Sequence, residues 1–207
     1  MKTLAGLLVI FSAIPACGAA LTQGERDRAM SELHATRKQF LDAVAGLTPA
    51  QWSYKPSPSS WSLAEIAEHL AVTEDWIFDM VTKQILASPA QPEKRAETRG
   101  KDEMVLKTIP DRSSKREAPA EIAPAHRFAT PQAAVDHFRA ARDRTIGYIQ
   151  TTPDDLRVHF APHRAVGLID AYQWFLVASG HTARHLEQMA EVKAGPHYPG
   201  SVTGAPR

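Results

Sequence analysis

The sequence predicts an all-α protein: a four-helix bundle with a long irregular connection between its second and third helices. Four segments carry apolar residues close to the 3.6-residue period, each opens on a capping signal, and proline or glycine closes each one. At 207 residues, with 43% hydrophobic and 23% charged residues, the chain suits one well-packed domain. The formal charge of +1 is scattered, without a basic stripe interleaved with aromatic residues, so nucleic acid is not an expected partner.

Residues 1–20 read as a leader. Lys2 supplies a positive start, Leu4 to Ile14 an apolar run too short to span a bilayer, and Pro15 to Ala20 are mostly small. Two outcomes stay open. Cleavage after Ala20 would release a domain spanning 21–200 with a tail at 201–207; loss of Lys2 leaves 23 basic and 23 acidic residues. Alternatively, Cys17 after Ala16 resembles a bacterial lipoprotein processing site, which would give a lipid anchor and no transmembrane helix. Both predict export, to the periplasm or the exterior. Cys17 is the one cysteine, so no disulfide is expected.

Helix 1 is expected over Thr22 to Leu47, where Thr22 and Glu25 have capping-box spacing and Met30, Leu33, Phe40, Leu41, Val44 and Leu47 make one stripe. Thr48-Pro49 is read as its stop, and Gln51 to Ser60 as an extended connection. Trp52 and Trp61 are expected to close the end of the bundle. Helix 2 begins at a second capping box, Ser62 and Glu65, which engages Glu65 with backbone and removes it as a catalytic base. Its inward stripe runs through Ile66, His69, Leu70, Thr73, Trp76, Ile77, Met80, Val81 and Ile85 to an end near Ala87.

Ser88 to Ala129 is proline-rich, charged and weakly periodic, with a short helix expected over Asp102 to Lys107. Within it, Asp111-Arg112-Ser113-Ser114-Lys115 reads either as a solvated turn or as a recruiter of an anionic group. Thr130-Pro131 starts helix 3, which continues through Val135, Phe138, Arg142, Thr145 and Ile149 until Pro153. His137 neighbours Phe138 at the core edge, and the spacing of His159 and His163 requires no metal. Asp170 and Gln173 cap helix 4, which Gly195-Pro196 ends; Trp174, Val177, Ala178, His181, His185, Gln188 and Val192 share one face.

His181 and His185, four residues apart on that face, stand one turn above each other with about 5 to 6 Å between Cβ atoms, so both can reach one metal ion. Inward side chains on facing helices are where bundles build metal sites, and His69 on the helix 2 stripe is the third candidate ligand. Gln188 has the helix spacing to orient one ring.

Trp61-Ser-Leu-Ala-Glu-Ile-Ala-Glu-His69-Leu, with His181-Thr-Ala-Arg-His185-Leu-Glu-Gln-Met far downstream, resembles the DinB/YfiT superfamily of metalloenzymes across nearly all of residues 21–200. The resemblance implies a four-helix bundle holding a divalent metal on His69, His181 and His185, and a homodimer is compatible with it. Imidazole ligands suit zinc or nickel, with iron or manganese as further options. Three neutral imidazoles leave the ion its full charge and open positions, a site that favours anionic or thiolate ligands and lowers the pKa of bound water. Relatives of this type include thiol-dependent transferases acting on small-molecule electrophiles. Two alternatives stand beside that expectation: a hydrolase using metal-bound water, and a non-catalytic metal-binding envelope protein. Glu74, about 140° round the helix from His69, is not placed to be a general base.

Overall fold

The computed structural model describes residues 20–200. The leader expected over 1–20, Cys17 included, lies outside the described residues up to position 19, as does the 201–207 tail. Four long helices form the bundle: α1 (Gln23–Val44), α3 (Leu63–Asp79), α6 (Pro131–Thr151) and α7 (Ala171–Lys193). Helix α1 packs against α6 and α7, and α3 packs against the same two, so α1 and α3 stand on one diagonal. His69 on α3 and the histidine pair on α7 therefore belong to adjacent helices. Among the described residues no helix is long and apolar enough to cross a membrane.

The starts of the helices follow the sequence. Thr22 with Glu25, Ser62 with Glu65 and Asp170 with Gln173 each form the reciprocal capping box, and Thr130 accepts a hydrogen bond from the Ala133 N–H. Helix α1 stops at Val44, three residues before the expected Leu47. Gly46 follows with φ 68°, a left-handed conformation in which a side chain would be strained.

The extended connection expected over 51–60 begins instead as a turn of helix, α2 (Pro49–Ser53). Thr48-Pro49, read as a stop, is a start: Thr48 and Gln51 make a further capping box, and proline suits the first helical position because its missing N–H has no helical partner there. Helix α3 runs on without a break into a π-helical segment, Met80–Ile85, whose end is marked by the Leu86 N–H bonding to the Val81 oxygen.

The 88–129 connection is ordered against the bundle. It holds a 3-10 turn (Pro92–Lys94), α4 (Arg95–Thr98) and α5 (Lys101–Thr108), the last matching the short helix expected there. Val105, Ile109 and Ile122 from this connection are buried in the core or its edge. Residues 160–170 were expected as plain connection and form an antiparallel hairpin, β1 (Phe160–His163) and β2 (Gly167–Asp170). A four-residue strand ending at a helix cap leaves too short a pattern for period-two alternation to register.

Two apolar clusters make up the core, and a polar knot joins the helices between them. The fully buried Arg142 of α6 binds Glu74 of α3 through two hydrogen bonds of 2.8 and 2.6 Å. Its remaining N–H groups reach the Leu33 oxygen and Thr36 Oγ1 on α1, and the Ala178 oxygen and Thr182 Oγ1 on α7. One guanidinium thus ties all four helices, with each donor matched to an acceptor, which is what makes a buried charge tolerable. Nearer the helix starts, Arg157 pairs with Glu25, Asp102 and Asp170 and lies over the Tyr172 ring.

Candidate metal centre

His69, His181 and His185 come together as the two helical stripes require, with one ring nitrogen from each within 4.8 Å of the others. His181 Nε2 is 3.1 Å from His69 Nε2 and 3.1 Å from His185 Nε2. Ligand nitrogens held about 2.0–2.1 Å from a zinc ion in tetrahedral geometry are themselves about 3.3 Å apart, close to this spacing.

The outer nitrogens decide which atoms face inward. His69 Nδ1 lies 2.8 Å from the Ile122 carbonyl oxygen, which can only accept, so Nδ1 carries the proton and Nε2 presents its lone pair. His185 Nδ1 lies 2.8 Å from Gln188 Oε1 with the same consequence. Both lone pairs then point at His181 Nε2, and one hydrogen there cannot serve two acceptors. A cation at the meeting point relieves that conflict.

Electrostatics favour neutral donors. Burial, with a contribution from Arg127, lowers the His69 pKa to about 4. Burial also pushes His181 and His185 well below the ordinary imidazole value, helped by the neighbouring rings and by Arg184. Rings that stay neutral keep lone pairs available for a metal.

Trp61 forms one wall, its ring centroid 4.9 Å from that of His69 and its plane within 16° of His185 at 6.1 Å. Trp52 and Trp61 both pack on the same apolar cluster, and Trp61 is in addition a direct neighbour of the histidines. The cluster opens into a pocket of about 1040 Å³ lined by residues of α3, α7 and the 109–123 segment.

The carboxylates set aside as bases are engaged elsewhere. Glu65 serves its cap and Lys55, and Glu74 serves Arg142. His137 pairs with Asp75 on the surface and His159 bonds the Ser88 oxygen, so neither joins the cluster. His163 lines the same pocket, its Nδ1 accepting from the Ala165 N–H.

Glu68 is the residue that sequence reasoning passed over. Its buried carboxylate accepts the N–H groups of Ala125, His126 and Arg127 at 2.8 to 3.1 Å, and the Arg127 guanidinium at 3.1 Å. This clamp fixes the turn whose Ile122 carbonyl orients His69. Its one sequence signal was an acidic residue beside a core histidine, and nothing local showed what it would hold.

Residues 32–189 match the model of the DinB superfamily. The chain belongs to the DinB superfamily. The uncharacterized protein YuaE of Bacillus subtilis (strain 168) is 27% identical over 164 residues, covering 79% of this chain and 96% of that one. The fold is similar to that of YfiT from Bacillus subtilis, described as a probable metal-dependent hydrolase with an unusual four-helix bundle topology. The TM-score is 0.53 at 13% identity, over 84% of this chain and 88% of that one. The DinB-like bundle and a three-histidine cluster fit for a divalent metal are thus both present.

Proposed function

We propose that this DinB-superfamily protein is a divalent-metal-dependent enzyme in which His69, His181 and His185 hold the ion and a small-molecule substrate enters from the adjoining pocket. The observation that carries the reading is the convergence of three Nε2 atoms at a pocket wall, with two tautomers fixed so that lone pairs face inward. A structural metal would call for a closed shell of protein ligands; this shell has three and an open side.

When bound, the ion supplies Lewis acidity and acidifies a water or thiol that it carries. The chain does the rest. Ile122 and Gln188 keep the rings in register, Trp61 excludes water from one side, and the pocket receives the substrate. Zinc or nickel suits the all-imidazole shell, with iron and manganese behind them.

Hydrolysis is the first reaction class, supported by the likeness to YfiT and its description. Thiol-dependent transfer is the second, favoured by a pocket of about 1040 Å³, which has room for a thiol co-substrate beside an electrophile. The leader at 1–20 supports an exported protein, in the periplasm or beyond, with Cys17 as the point of a lipid anchor. Fractionation of the host cell with and without Cys17→Ser tests that part.

The function is tested by screening metal-loaded protein against ester, amide and phosphoester panels, each with and without added thiol. Activity is expected to vanish with a chelator, return with zinc or nickel, and be lost in His185→Ala. Turnover that survives both the chelator and His185→Ala would contradict the assignment; a strict thiol requirement would select transfer over hydrolysis.

A further inference from the structure

The pocket lining combines charged and apolar groups, and together they define a substrate class. Five cations line it, Arg112, Lys115, Arg116, Arg164 and Arg184, against two carboxylates, Glu117 and Glu191. Glu191 is already taken by both arms of Arg112, at 2.8 and 2.7 Å. Arg184, buried on α7 between the two histidines in sequence, bonds only backbone among the described residues, the oxygens of Asp111 and Ser114. Arg116 reaches one carbonyl, that of Thr108, at 3.3 Å, and Lys115 makes no hydrogen bond among the described residues.

The cations outnumber the acids among them: Asp111 stands near Arg116 and Arg184, and Glu191 near Arg112, Arg184 and Lys115. Arg116 and Arg164 lie near His163, which lines the same pocket. Arg184 in turn feels Arg116 and Arg112. Like charges gathered around a concavity are costly unless a ligand of opposite charge shares the site. Of the Asp111 to Lys115 cluster, with two sequence readings, Arg112, Ser114 and Lys115 line the pocket.

The same pocket has an apolar part. Trp76, Ile77 and Met80 from α3 and its π-helical continuation face Trp174 and Val177 of α7, with the two indoles 6.2 Å apart. The geometry points to a small-molecule substrate with an anionic headgroup, carboxylate or phosphoryl, held by Lys115 and Arg116, and an apolar aryl or alkyl body resting against the wall that Trp76 and Trp174 make together. This rests on the metal-enzyme reading for the reaction, while the binding itself depends on the pocket alone.

Calorimetric titration with non-reacting probes tests it: phenylphosphonate and benzoate as apolar anions, methylphosphonate as a bare anion, and benzyl alcohol as the neutral match. Either apolar anion is expected to bind at least tenfold more tightly than methylphosphonate and benzyl alcohol; the tighter of the two identifies the headgroup. Lys115→Gln with Arg116→Gln, both at the pocket rim, should weaken the anions at least tenfold and leave zinc stoichiometry unchanged. Trp76→Ala should weaken phenylphosphonate and spare methylphosphonate. Equal affinity for benzyl alcohol and the anions, or no effect of the double variant, overturns the proposal. If the protein takes up zinc yet binds the anions no better than the alcohol, the substrate class falls and the metal reading stands. If no zinc binds but Lys115 and Arg116 still hold phenylphosphonate, the reverse is true.

Discussion

His69 donates its Nδ1–H to the carbonyl oxygen of Ile122 across 2.8 Å, and by that bond commits Nε2 to the cluster it shares with His181. The partner is backbone, so its position depends on what holds the 122–127 turn, and Glu68, next to His69 in sequence, does so.

Glu68→Gln is therefore expected to act at a distance of one residue and one loop. The variant keeps an acceptor for one or two N–H groups but loses the charge that binds Arg127 and three amides, worth about 1–3 kcal/mol for charge-assisted bonds. Zinc affinity should fall about 10-fold or more while helix content stays constant, measured by competition with a chromophoric chelator.

Gln188→Leu removes the acceptor of the His185 Nδ1–H. Orienting partners of this kind contribute about 10–100-fold to metal affinity. That loss is expected here, with the melting temperature of metal-free protein nearly unchanged; a variant binding zinc as the parent does would show that the ring needs no such partner.

Arg142→Met leaves the carboxyl of Glu74, 2% exposed, without its partner. Breaking a buried pair from one side costs about 3–5 kcal/mol, and urea unfolding should show a loss of that order. Replacing both, Arg142→Met with Glu74→Leu, should recover much of it, because the cost lies in the orphaned group.

Acid should destabilise the metal-free protein over a defined window. The pKa values of His69 and His163 are lowered from 6.5 to about 4 in the folded state, both chiefly by burial, so the unfolded chain binds protons first as pH falls. Their contribution is fully present above pH 6.5 and is lost progressively toward pH 4. For His69, 2% exposed, this amounts to about 3 kcal/mol. Chemical unfolding at stepped pH values checks the direction: stability that rises between pH 6.5 and 5 would contradict it.

The helices and the three histidines were legible because each depends on local pattern. A cap at Ser62, a stripe through His69 and a four-residue spacing at His181 and His185 need no knowledge of the rest of the chain. What escaped was decided by long-range pairing. Glu68 meets amides 57 to 59 residues away, Arg142 meets Glu74 across 68, and Arg184 meets the Asp111 and Ser114 oxygens across 73 and 70. The hairpin at 160–170 and the turn at Pro49–Ser53 escaped for a different reason, each being too short to show a period. Thr48-Pro49 starts a helix after α1 has already ended at Val44, and composition alone does not separate a start from a stop.

The central claim is that one divalent ion sits among the three histidines and needs the distant helix as much as the pair. Elemental analysis of purified protein beside His69→Ala, each titrated with zinc and followed by thermal shift, tests it most directly. The account predicts about one ion per chain and a zinc-dependent rise in melting temperature for the parent, with both largely lost in His69→Ala. Equal zinc content and equal stabilisation in the two proteins would remove His69 from the site and contradict the three-histidine centre.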